Sequence, residues 1–117
     1  LAADRPADRP GLLADLRGLA TRGLAHSLGI DVLELTPERV VATMPVDQRT
    51  RQPFGILHGG ASVALAETVA SLGATANVDR EEFVAVGLEI NANHLRAKSE
   101  VGAPTCAFFL PTRSWAL

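Results

Sequence analysis

The sequence predicts an α+β domain, and three observations carry that reading. The opening has leucines at helical spacing, residues 30–46 read as a hairpin, and a run of small and apolar residues at 60–77 precedes an alternating stretch at 82–97. The predicted order is helix, hairpin, buried helix, long strand. At 117 residues the chain is the size of one domain. Such a chain buries only about 65% of the surface its unfolded form exposes, so oligomerisation is expected.

Residues 1–10 hold two Asp-Arg-Pro repeats and little apolar surface, and are expected to be a flexible lead-in to a single domain at 11–117. Leu12, Leu13, Leu16, Leu19, Leu24 and Leu28 then recur mostly at mixed spacings of 3 and 4. They describe one amphipathic helix, or two short ones broken near Gly18 or Gly23, with Gly29 as the C-cap. Residues 30–35 and the RVVATMPV run flank Thr36-Pro37-Glu38, a turn signal between two strands. Pro45 lacks a ladder donor, so the second strand either follows a sheet edge or ends at a bulge there. Residues 47–57 are a polar loop leading to His58-Gly59-Gly60.

From 60 to 77, Val63, Leu65, Val69 and Leu72 spread around the whole circumference of a helix that belongs inside something. At 1.5 Å per residue, about 17 residues make a rod of about 26 Å, long enough to thread a small domain. In the strand that follows, Phe83, Ala85, Gly87 and Glu89 alternate with Val84, Val86, Leu88 and Ile90. Residues 105–110 form one further strand ended by Pro111, which leaves the sheet short and an edge exposed.

Composition excludes several classes. A hydrophobic fraction of 47% and a charged fraction of 21% are those of a folded globule. With 11 basic and 13 acidic residues the net charge is −2, and no field attracts nucleic acid. Cys106 is the single cysteine, and with His26, His58 and His94 it offers no disulfide and no metal-ligand pattern. A reducing cytoplasm fits that usage, and LAADRPADRP has neither the basic nor the apolar part of an export signal. The 59–78 stretch fails as a membrane span, since a Glu near its middle would cost about 2.5–3.5 kcal/mol on an insertion scale.

That Glu is the candidate for chemistry. Glu67 is the only charged side chain between His58 and Asp79. An unpaired buried carboxylate costs several kcal/mol, so either the helix is amphipathic and Glu67 is solvated, or a function holds it there. Gly60, Glu67 and Ser71 share one helix face. The Gly59-Gly60 pair leaves backbone N–H groups bare at the positive end of the helix dipole, where a carbonyl or a developing oxyanion is stabilised, though it also suits a plain entry turn.

The segment RQPFGILHGGASVALAETVAS resembles the signature of the hotdog-fold thioesterases, in the branch of the phenylacetate-pathway and 4-hydroxybenzoyl-CoA enzymes. There an Asn or Gln precedes a G-x-x-HGG turn, and an acidic residue lies nine positions after the His. Gln52, Gly55, His58, Gly59, Gly60 and Glu67 occupy those places here. NANHLRA looks like the end of that family's long central strand, and the resemblance covers residues 12–100.

The resemblance implies an antiparallel sheet wrapped around the helix, and homodimers, or dimers of dimers, whose sites draw on two chains. It implies an acyl-CoA or aryl-CoA substrate and no cofactor beyond that coenzyme A. Glu67 would serve as nucleophile or general base, the Gly59 N–H would polarise the thioester carbonyl, and Gln52 and Ser71 would position the carbonyl or the water. His58 would anchor the turn, and His58 and Gly60 would border the substrate. Asn93 and His94 would meet substrate, and Arg96 and Lys98 are candidates for the CoA phosphates, or simply a solvated strand end. Family members continue into two more strands, whereas VGAPTCAFFLPTRSWAL supplies seventeen residues with two prolines. Two other readings stay open: a dehydratase of 3-hydroxyacyl thioesters, with His as base, and a non-catalytic acyl-CoA-binding module.

Overall fold

The computed structural model describes residues 11–99 and 105–109, with the backbone alone at Leu12 and over 105–109. The expected lead-in and the stop at Pro111 lie outside the described residues.

The opening is two helices, α1 (Leu12–Leu19) and α2 (Gly23–Leu28). Between them Ala20, Thr21 and Arg22 each donate to the carbonyl three residues back, a tightening that ends α1. Gly29 closes α2 at φ 72°, with Gly29 N–H donating to His26 O and Ile30 N–H to Ala25 O at 3.0 and 2.9 Å. That pair of bonds satisfies the last carbonyls of the helix and requires a left-handed residue, which glycine adopts without strain.

Strands β1 (Asp31–Leu35), β2 (Val40–Met44) and β3 (Thr105–Phe109) form an antiparallel sheet in the order β1-β2-β3. The register runs Leu35↔Val40 in the first pair and Val40↔Phe109 to Met44↔Thr105 in the second, with an irregularity between Val32 and Glu34. The strand before Pro45 is therefore the central one, which corrects the edge alternative. It stops at Met44, just before the residue that cannot donate to the ladder.

Helix α3 (Gly59–Thr75) lies on β2 and β3. Ala61, Leu65, Val69, Leu72 and Gly73 are buried against Leu16, Val32, Leu35, Val40, Ala42 and Met44. A large aliphatic side chain buried this fully contributes about 1.5–3 kcal/mol. Asn77 Nδ2 donates to Pro37 O and Gly73 O, both at 2.8 Å, pinning the end of α3 to the β1–β2 turn. One face of α3 is covered and the other is not. Gly60, Ala66 and Ala70 are exposed, because among the described residues the three strands reach one side of the rod only.

The strand expected at 82–97 is not one here. Among the described residues it has no ladder partner, and Val84, Val86, Leu88 and Leu95 are 82–100% exposed. An alternating pattern states which face a strand buries once a neighbour exists, but the ladder belongs to the pair of strands. The segment is held at its ends, by Phe83 N–H to Asp79 O at 2.8 Å and Leu57 N–H to Lys98 O at 2.8 Å.

Candidate active site

The loop before α3 is ordered by a buried hydroxyl. Thr50 is 1% exposed. Its Oγ1 donates to Pro45 O at 2.7 Å and accepts from Asp47 N–H at 3.1 Å, while its own carbonyl accepts from His58 N–H at 2.8 Å. The Asp47 carboxylate takes the Arg49 backbone N–H at 2.9 Å and its guanidinium at 2.6 Å. The Arg49 side-chain bond holds the Asp47 carboxyl below its ordinary 3.8. These contacts deliver His58 to the start of the helix.

His58 is the N-cap of α3, its Nδ1 accepting from Gly60 N–H at 2.8 Å. Ala61 and Ser62 donate to His58 O at 3.0 and 3.2 Å. Among the described residues that leaves the Gly59 N–H as the first-turn donor without an acceptor, at the positive end of a 17-residue helix. His94 reaches the same corner: a Cβ built at Gly59 would lie 2.9 Å from its Nε2.

Two turns further, Glu67 is half-buried and accepts from Ser71 Oγ at 3.1 Å, the i, i+4 pairing its spacing predicts. Across from it stands Gly87, where a Cβ would lie 2.5 Å from Glu67 Oε1. Gln52 Oε1 accepts from Phe54 N–H and so shapes its own loop, leaving the amide nitrogen without an acceptor among the described residues. Asn93 and Arg96 are exposed on the segment after Gly87, and Lys98 is partly buried beside the Leu57 contact. The fold thus gathers Gly59, Gly60, His58 and His94 at one end of the helix and Glu67, Ser71 and Gly87 farther along. Sequence reading missed Thr50 and Gly87. A glycine inside a strand-like run signals close approach of another group, and that signal was present.

Comparison with known proteins decides the family. The model of the thioesterase superfamily matches residues 54–107. A mutant thioesterase from Pseudomonas aeruginosa superposes with a TM-score of 0.76 at 40% identity, over 86% of this chain and 71% of that one. The chain belongs to the thioesterase superfamily. A second superfamily structure, a thioesterase from Haemophilus influenzae, gives a TM-score of 0.74 at 42% identity, over 86% of this chain and 68% of that one. The 1,4-dihydroxy-2-naphthoyl-CoA hydrolase of Escherichia coli is 55% identical over 88 residues, 75% of this chain and 64% of that protein. The fold is accordingly the hotdog fold that the resemblance of the segment around the HGG turn implied. This superfamily member spans 58–64% of the length of the curated relatives it matches.

Proposed function

We propose that this chain carries the hydrolytic site of an acyl-CoA thioesterase, with aryl-CoA esters among its substrates. The observation that carries the proposal is Glu67, a half-buried carboxylate held by Ser71 on the helix whose first N–H, at Gly59, lacks an acceptor among the described residues. Water adds to the thioester carbonyl, the C–S bond breaks, and the proton passes to the departing CoA thiolate, giving a free acid and CoA. Glu67 serves this as general base, or as the nucleophile whose anhydride water then opens. The Gly59 N–H stabilises the developing oxyanion, and the Gln52 amide and the Ser71 hydroxyl orient carbonyl and water. Asn93 and His94 face the substrate, and Arg96 and Lys98 pair with CoA phosphates. The E. coli relative's name, a hydrolase of an aryl-CoA, supports the aryl arm.

Eight residues at 1.5 Å put Gly59 and Glu67 about 12 Å apart along the helix, farther than one thioester group reaches. That spacing supports a homodimer, and a dimer of dimers beyond it, in which each site draws on two chains. The chemistry asks for no cofactor other than the coenzyme A of the substrate, and the single cysteine suits a cytoplasmic protein. The dehydratase reading needs His58 as a base, whereas its Nδ1 already caps Gly60. Among the described residues the segment at 83–97 has no ladder partner and the sheet has three strands, which favours a second reading, a non-catalytic acyl-CoA-binding module.

Incubation with benzoyl-CoA, phenylacetyl-CoA and a medium-chain acyl-CoA, following free thiol, separates these. Thiol release that falls by about 10²–10⁴-fold in Glu67→Ala is the expected result. Saturable binding without thiol release would replace the hydrolase by the binding module, and hydration of an enoyl-CoA would replace it by the dehydratase.

A further inference from the structure

We infer that Gly87 is a positioning residue for the Glu67 carboxylate, its missing side chain being the space in which that group is set. The inference rests on Glu67 as the hydrolytic acid. Gly87 has no conformational reason to be glycine: the left-handed glycines are Gly11, Gly23, Gly29 and Gly55 among the described residues, and Gly87 is not one of them. Crowding by the core does not require it either, since Gly87 is exposed and Val86 and Leu88 on either side are 82% and 100% exposed. What a side chain would meet is the acid itself. The three nearest atoms to a Cβ at this position are Glu67 Oε1 at 2.5 Å, Cδ at 3.3 Å and Oε2 at 3.4 Å, all of one carboxyl group.

A Cβ does not approach another atom to 2.5 Å, so a methyl at 87 forces a shift. The obstructing atoms are the far end of a flexible side chain, and a rotation of Glu67 relieves the clash while the backbone stays. The 3.1 Å bond from Ser71 is then lost and the carboxylate leaves its register with the substrate carbonyl. A misplacement of about 1 Å at a reacting group costs on the order of 10²-fold in rate. Gly87→Ala is therefore expected to fold normally, with a thermal midpoint unchanged or raised, because an ordinary φ accepts alanine and alanine narrows the unfolded ensemble.

The test is a double-mutant cycle on the CoA thioester hydrolysed fastest among the benzoyl, phenylacetyl and medium-chain esters. Gly87→Ala should lower kcat about 10²-fold with KM changed by less than about threefold. Glu67→Asp shortens the acid by one methylene and makes room for the added methyl, so the double variant should lose no more than the worse single one. Wild-type kcat in Gly87→Ala, losses that multiply in the double variant, or an unfolded Gly87→Ala by circular dichroism would each overturn the inference. Full turnover in Glu67→Ala would instead remove the acid's role on which it rests. An inactive Glu67→Ala beside a fully active Gly87→Ala would sink Gly87 alone.

Discussion

Asp47 shows how a partly exposed carboxylate still affects stability. Its Oδ1 and Oδ2 accept from Arg49 N–H, Nε and NH2 over one tight turn, and the guanidinium and amide bonds favour the ionised form. The carboxyl therefore titrates below its ordinary 3.8 in the folded chain. The stabilisation is fully present above that value and is lost as pH falls through the lower, folded value. Urea midpoints of the protein and of Asp47→Asn should differ by a constant amount from neutral pH down to about 3.8 and converge below it, with screening by salt reducing the gap. Divergence on acidification would mean that the turn is held by something other than this pair. At the same scale Glu67 was legible as the one charge in an apolar run. Its contact with Gly87 was not, since 20 positions separate them.

At the scale of elements, local chemistry predicted most boundaries. The glycine end of α2, the Thr36-Pro37 turn and the stop of β2 at Pro45 are each decided within a few residues. Gly29→Ala tests the first of these. A Cβ there meets Arg49 NH1 at 2.7 Å and Cζ at 2.9 Å, and φ 72° costs an L-residue about 1–2 kcal/mol. The variant should lose at least that much stability in chemical denaturation, and more if Arg49 is driven from Asp47. An unchanged midpoint would show that the cap relaxes freely. The segment at 82–97 is where local reading failed. Its alternation is strand-like, but the partner that makes a strand is supplied by other segments.

For the whole molecule, the row Val84, Val86, Leu88, Ile90 and the bare face of α3 at Gly60, Ala66 and Ala70 leave apolar surface uncovered in one chain. The proposed homodimer would cover a patch of this kind. The proposed homodimer predicts a sedimenting species of twice the chain mass or more, and Leu88→Asp should shift it toward monomer with loss of thiol release. A monomer at micromolar concentration that hydrolyses thioesters would contradict a site shared between chains.

The amino-acid order alone determined the α+β class, the hairpin, the long helix, the HGG turn and the acid nine residues after its His, because helix period, turn residues and caps act over a few neighbours. Tertiary structure decided what crosses those distances: β2 as the middle strand, α3 covered on one side, Thr50 tying the loop to His58, and Gly87 and His94 brought against Glu67 and Gly59. Those are contacts between segments far apart in the chain, and only packing brings their partners together.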